Sequence, residues 1–288
     1  MKILMDNSGD KIEENTPDSF SSMFDLVLRR SIIQLKNDPP KTIYVKTDYL
    51  PLFVQTILPT LSSDFVFASG CSDYSPMINF RECYDAIINN KFLVAWYMVN
   101  CLERHPKVKA YPGGVCRNTD AEIARIHVLK EEPVEKHSTS KIVCCWRDRE
   151  YNVCGDQFIT RKKTYDFIKQ YPEIFDWVEA NLSTEEFYQR LRKYKFVLCP
   201  VGNGVDPCPK AFEAIILKTV PIVIRTINTE SVYSELPCVL VDDFSEVLNM
   251  DLDETYSKFE PMFNDEETYN KLSCEYWYDK VLESLNTK

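Results

Sequence analysis

From Thr42 onward, short β-branched and aromatic runs alternate with segments of helical character, which restricts the chain to few folds. "TIYVKT" reads as a strand, "LPLFVQTILPTL" as a helix opened by proline, and "DFVFASG" as a second apolar strand ending in the polar loop "GCSDYSP". A helix over "FRECYDAIINN", a strand over "KFLVAW" and a strand over "KVKAYPGGV" follow. Strands separated by helices in this way predict a mostly parallel sheet with helices on its faces.

The segment from about Arg117 to Ser140 is polar, breaks at Pro133, and is expected to be a linker in its latter part. The pattern then restarts, with strands over "KIVCCW", "KFVLCP", "VPIVI" and "CVLVDD". Helices are expected over "FITRKKTYDFIKQY", "PKAFEAIILKT", "TESVYSEL" and "STEEFYQRLRKY", the last with a Ser-x-x-Glu capping box. A chain of 288 residues can bury one large core or two smaller ones. The break favours two α/β units, residues 1–135 and residues 136–288.

A net charge of −10 argues against nucleic acid or acidic membrane as a partner, since both require clustered Lys and Arg. An anionic ligand would need a local basic site set against that field. The 11 cysteines are scattered, with no paired Cys/His spacing of a zinc site, which points to free, mostly buried thiols in a reducing compartment. "MKILMDNSGDKIEEN" has too short an apolar stretch for a signal peptide, and no run is long enough to span a bilayer. A cytoplasmic location is therefore expected.

Only 7 glycines occur, and Gly202 and Gly204 lie together between the strand "KFVLCP" and the helix "PKAFEAII". In open α/β sheets, ligands sit beyond the carboxyl ends of strands, where glycines admit close backbone approach and helix starts offer N–H donors to an anion. Pro209 suits the first helical turn. The spacing is neither that of a phosphate loop with Gly-Lys-Ser/Thr nor a three-glycine dinucleotide fingerprint. Lys210 and Glu213 share one side of the helix start, where a cation could meet a diphosphate and a carboxylate a ribose diol. On spacing alone, a structural turn and a solvated ion pair explain these residues as well.

The stretch "KYKFVLCPVGNGVDPCPKAFEAIILKTVPIVI" resembles the donor-binding segment of exostosin-like glycosyltransferases. Gly202, Gly204, Asp206, Phe212, Glu213, Ala214 and Pro221 match that family's motif, and "ELPCVLVDDFSEV" and "LSCEYWYDKVLE" look like its closing elements. "FVFASGCSDYSPM" and "NNKFLVAWYMVNCLERHPKVKAYPGGV" are most like the small versions encoded by large DNA viruses. The likeness runs from about residue 40 to residue 285 and is weaker in the first half. There are departures: Lys210 stands for the usual arginine, Phe212 matches as an aromatic where tryptophan is usual, Lys218 replaces a glycine often found before the Ile-Pro strand, and "DPCPK" has two prolines that stiffen the loop. Lysine replaces a bidentate fork with a point charge.

The resemblance implies a GT-B-like fold of two Rossmann-like domains facing a cleft, with the acceptor on the first and the donor on the second. It implies inverting transfer from a nucleotide sugar, UDP-linked and with xylose among the candidates, to an oligosaccharide or glycoprotein glycan. Charge on the leaving diphosphate must be met by cations or N–H groups, and the acceptor hydroxyl needs a base. Candidates for the first task are Lys210, the helix start after Pro209, and Arg147, Arg149 and Arg161, with surface charge the competing reading of the arginines. Asp73 is the candidate base, with Asp48 and His105 behind it, and a turn or capping aspartate as its plain alternative. Tyr74, Trp96 and Asn100 are candidates for the acceptor, with core packing the competing reading of Trp96. Trp146, Trp177 and Trp277 read as packing residues. "DLD" at Asp251–Asp253 and Asp242–Asp243 are poorly placed for an Asp-x-Asp metal site, so no cofactor and no essential metal is expected. Two other readings stay open: a non-catalytic nucleotide-sugar-binding module, and a generic two-domain phosphatase or nucleotidase.

Overall fold

The computed structural model of the chain describes residues 20–29, 32–115, 128–129, 131, 134–136, 141–146, 153, 157–178, 182–207 and 209–287. Among them, β1 (Leu26–Arg29), β2 (Ile32–Leu35), β3 (Thr42–Lys46), β4 (Phe65–Gly70), β5 (Leu93–Met98) and β6 (Val108–Ala110) form one sheet in the order β2-β1-β3-β4-β5-β6. Only β1 and β2 pair antiparallel. A second sheet has the order β11-β10-β9-β7-β8, built from β7 (Ile142–Cys144), β8 (Phe175–Trp177), β9 (Phe196–Leu198), β10 (Val220–Ile224) and β11 (Val239–Val241). Every pair in it is parallel. The protein is thus two α/β, Rossmann-like units.

The helices are α1 (Leu50–Thr56), α2 (Pro76–Asn79), α3 (Arg81–Ile88), α4 (Gln157–Ile168), α5 (Thr184–Leu191), α6 (Pro209–Ile216), α7 (Ile227–Tyr233), α8 (Leu252–Phe259), α9 (Glu266–Asn270) and α10 (Cys274–Asn286). The capping box foreseen at Ser183 forms as expected, with Ser183 and Glu186 bonding reciprocally at the start of α5. Three local features differ from the sequence reading. The helix over "LPLFVQTILPTL" stops at Thr56, and a separate 3-10 turn spans Leu58–Thr60 around Pro59. The hairpin β1–β2 and the short strand β8 were not anticipated, being only 4, 4 and 3 residues long.

Alternation along the strands divides the first sheet's side chains between two apolar clusters. Ile43, Val45, Phe65, Phe67, Trp96 and Met98 pack with Leu50 and Phe53 of α1 and Tyr84 and Ile87 of α3. Tyr44, Val66, Ala68, Ala95 and Tyr97 join the other cluster, which continues into the second sheet and α6. That face is covered by Phe20 and Phe24 and by α10, whose Trp277 and Val281 belong to the same cluster. The Tyr97 hydroxyl lies 2.5 Å from the Lys280 carbonyl and 2.9 Å from Ser284 Oγ, tying α10 to β5. The last helix of the chain is therefore packed on the first sheet.

α6 ends in a Schellman motif: the Thr219 N–H donates to the Ala214 carbonyl at 2.8 Å and the Lys218 N–H to that of Ile215 at 3.0 Å. Lys218 accordingly sits at φ 58°, the left-handed conformation that favours glycine. Nearby, the Lys136 ammonium donates to the Leu217 carbonyl at 3.2 Å and Thr219 Oγ1 at 3.0 Å, tying Lys136 to the turn between α6 and β10. Burial, with Arg192 and Lys218 close by, lowers its pKa from the ordinary 10.5 to about 7.

Two predictions follow from these helix-end contacts. Lys218→Gly should stabilise the protein by about 0.5–1 kcal/mol by relieving the left-handed backbone, read as a higher denaturant midpoint. The folded chain gives up the Lys136 proton near neutrality, while the unfolded chain keeps it to higher pH. Stability of the wild type relative to Lys136→Met should therefore climb between pH 7 and pH 9. A flat difference across that window would show that Lys136 stays charged in the folded protein.

Candidate functional site

The carboxyl ends of the parallel strands in the two sheets face each other. From the first sheet come the loop after β4, at Cys71–Ser75, and the loop after β5, at Val99–Arg104. From the second come Cys145 and Trp146 after β7 and the glycine loop, residues 199–207, after β9. Cys71 and Asn100 both stand at φ 59°, one residue and two residues past their strands. Left-handed non-glycine residues are uncommon and concentrate where surroundings hold the backbone for a purpose.

The glycine loop is fastened on its own side by a turn in which Gly202 N–H donates to the Asp206 carbonyl at 3.3 Å. Arg161, on α4, donates through Nε to the Val201 carbonyl at 3.0 Å, so a candidate for the diphosphate acts here as a brace for the loop. Lys210 extends from the first turn of α6 to the Cys145 carbonyl and passes over the Trp146 ring, 5.8 Å from its centroid. Glu213 is 5% exposed, and its Oε1 accepts a hydrogen bond from the Tyr188 hydroxyl at 2.7 Å. Arg161, Lys210 and Glu213 thus gather on elements around the glycine loop. Arg147 and Arg149 lie outside the described residues.

Across the gap, Asp73 is exposed, and its Oδ2 accepts from Asn203 Nδ2 at 2.8 Å. A carboxylate from the first half is therefore bonded to the residue between Gly202 and Gly204. Tyr74 beside it is 38% exposed, with its ring edge-on to Phe80 at 5.4 Å.

Asn100 has a different place from the acceptor-facing one expected. It is 2% exposed, and its Oδ1 accepts from the N–H groups of Val205 at 3.0 Å and Asp206 at 3.2 Å. Its Nδ2 donates to the carbonyls of Ser72 at 3.1 Å and Tyr74 at 3.3 Å. These partners fix the amide's orientation, donors on one side and acceptors on the other. A Cβ built on Gly204 would lie 2.3 Å from Asn100 Oδ1, so only glycine admits this contact. The second strut of the seam is Asn228 on α7, which accepts from the Cys101 N–H at 3.1 Å and donates to Asp206 Oδ2 at 3.4 Å. Asp206, 8% exposed, is turned into that network rather than toward open solvent.

Trp96 requires a correction. It is fully buried on the face of the first sheet that packs against α1 and α3, edge-on to Phe67 at 5.2 Å, with its indole N–H on Ser69 Oγ at 2.9 Å. Four residues from Asn100 along a strand and turn, it shares no face with it, and it packs the core rather than holding a sugar. Trp146 and Trp177 pack edge-on at 4.9 Å, yet the buried Trp146 indole N–H has no hydrogen-bond partner among the described residues. An unmet buried donor costs stability, and this one lies beside Lys210.

The other candidate bases lie elsewhere on the first half. Asp48 follows β3 and is 3.7 Å from Lys46 Nζ. His105 accepts the Lys107 N–H on Nδ1 at 3.1 Å and lines a different hollow, of about 600 Å³, with Lys109, Tyr276, Trp277 and Lys280. A concavity of about 890 Å³ along α5, lined by Leu182, Gln189, Arg190 and Tyr194, contains none of the candidate residues.

The late acidic pairs serve helix ends and surface ion pairs. Asp251 Oδ1 caps α8 through the Glu254 N–H, and Asp253 meets Lys195 at 2.7 Å. Asp243 caps the following 3-10 turn, and Asp242 meets Arg225 at 3.1 Å. Among the described residues, no group of three or more His, Cys, Asp or Glu is arranged to hold a metal, and no helix is long and apolar enough to cross a membrane.

Tyr188, Asn203, Asn228 and Trp146 were not singled out as site residues by the sequence reading. Only Asn203 carried a signal, as the polar residue between two glycines.

No protein-family model matches the chain, and no curated protein matches it. Among solved structures, a UDP-forming α,α-trehalose-phosphate synthase from Burkholderia xenovorans is similar at 12% identity and TM-score 0.45, over 87% of this chain and 75% of that one. The spinosyn rhamnosyltransferase SpnG, complexed with thymidine diphosphate, is similar at 11% identity and TM-score 0.34, over 86% of this chain and 70% of that one. At these scores the likeness carries no argument about site or reaction. The two-unit α/β architecture rests on the strand order and register of the two sheets themselves.

Proposed function

We propose that this protein is a GT-B-like glycosyltransferase that moves a sugar from a nucleoside diphosphate, held by residues 136–288, to a glycan hydroxyl presented by residues 1–135. The observation that carries this reading is the bond between Asp73 of the first half and Asn203 inside the glycine loop of the second, at 2.8 Å. It brings a carboxylate to the loop where the sequence motif puts the donor. Exostosin-like ancestry is supported by that motif, a UDP-linked donor and inversion by the family likeness, xylose by the viral likeness of the first half, and independence from metal by the placement of the acidic pairs away from an Asp-x-Asp site.

In this reading Asp73 takes the proton of the acceptor hydroxyl as its oxygen bonds to the anomeric carbon. The bond from that carbon to the diphosphate breaks, and its electron pair leaves with the diphosphate. Lys210 and the loop N–H groups meet the growing negative charge, Glu213 takes the ribose diol with Tyr188 orienting it, and Arg161 holds the loop in place through Val201. Tyr74, exposed beside Asp73, borders the acceptor.

Three measurements test this. In a thermal-shift panel of nucleotide sugars, one donor class should stabilise the wild type, and Glu213→Ala should lose that shift, with binding weakened about tenfold or more. Asp73→Asn should lower kcat by about 10²–10⁴-fold while leaving donor KM within about threefold. Full transfer by Asp73→Asn would remove it as the base. Transfer abolished by EDTA and restored by Mn²⁺ would refute metal independence. Saturable donor binding without transfer or hydrolysis would instead identify a non-catalytic binding module.

A further inference from the structure

The N–H groups of Val205 and Asp206 are successive in the chain and converge on one oxygen, Asn100 Oδ1, at 3.0 and 3.2 Å. Two consecutive backbone donors aimed at a single acceptor form a nest, a concavity of partial positive charge suited to an anionic oxygen. Its occupant is a neutral carboxamide supplied by the opposite half of the molecule. That carboxamide is delivered by a built support: its own donors rest on the carbonyls of Ser72 and Tyr74, and the Asn100 carbonyl accepts from Ser75 Oγ at 2.9 Å. The left-handed backbone at Asn100 sets the direction of entry, and the bare Cα of Gly204 makes the room.

We propose that this nest is a phosphate-oxygen site of the donor, and that Asn100 is its built-in plug. The proposal rests on the donor reading above and adds which atoms hold the diphosphate and what competes with it. A charged phosphate oxygen makes hydrogen bonds to N–H groups about twice as strong as a neutral amide oxygen does. A diphosphate therefore displaces the carboxamide, and while bound it undoes this strut of the seam. Asn228 keeps the other strut, between Cys101 and Asp206, so the halves stay joined. Release of the diphosphate lets Asn100 return. Coupling of this kind is reciprocal: whatever strengthens the Asn100 contact weakens diphosphate binding, and the reverse.

Asn100→Gly isolates the plug, because glycine accepts the left-handed backbone and removes only the carboxamide. UDP binding by calorimetry to the full chain should tighten by about five- to tenfold in Asn100→Gly, while the unliganded protein melts at a lower temperature. Gly204→Ala, whose methyl group expels the carboxamide from the other side, should change UDP affinity in the same direction. In the wild type, the Val205 and Asp206 amide resonances should move on adding UDP and not on adding uridine. UDP that binds the wild type but binds Asn100→Gly equally or more weakly, or leaves both amides unmoved, overturns the plug and spares the donor reading. UDP that binds none of these proteins overturns the UDP-linked donor and the plug with it.

Discussion

A parallel sheet must be covered on both faces, and in the first sheet the helices that connect its strands cover only one. α1 and α3 pack against Ile43, Phe65, Phe67 and Trp96. The opposite face presents Tyr44, Val66, Ala68 and Tyr97, and it is closed by α10 and by Phe20 and Phe24. Burying a side chain of this size is worth about 1.5–3 kcal/mol, so an open face here would be untenable. The two halves are consequently joined by one apolar cluster, and the strand ends of both sheets are held facing each other across a narrow seam.

At that seam the architecture meets the chemistry. Cys71 and Asn100 bend out of β4 and β5 in left-handed conformations, and the glycine loop bends out of β9 toward them. Gly204 lacks a side chain because a carboxamide from the other half fills the space one would take. The sparse use of glycine in this chain thereby acquires a local reason: the loop is shaped as much for its partner loop as for a ligand. Asp206, within the Gly-x-Gly-x-Asp run, is likewise drawn into the seam through Asn228.

Much of the fold was legible because periodicity reports burial. β3, β4, β5 and β10 are strings of apolar residues bounded by turn formers, and α6 starts at a proline and ends where the chain turns left-handed. The hairpin β1–β2 was not legible: "LVLR" and "IIQL" are short, and β2 is exposed along its length, so no alternation marks it. The glycine loop, Lys210, Glu213 and Asp73 were legible as candidates, and the fold brings them to neighbouring positions. The role of Asn100 was not, because nothing in the sequence marks a side chain that crosses to another sheet, whereas the core-packing reading of Trp96 is the one the structure bears out. Tyr188 had no signal at all, since its hydroxyl meets Glu213 only through the packing of α5 on α6. The departure at Lys218 proved informative in another way: the backbone keeps the glycine-favouring conformation although the side chain has changed.

The return of α10 to the first sheet also bears on how the chain is made. β4 and β5 are synthesised early, yet the helix that seals them contains residues 274 to 286. During translation at about 5–20 residues per second, Tyr97 and its neighbours wait with one side bare for roughly ten seconds or more. Nascent chains in that interval present an unsealed hydrophobic surface to holdase chaperones and to one another. A premature stop within α10 would leave the first sheet in that condition.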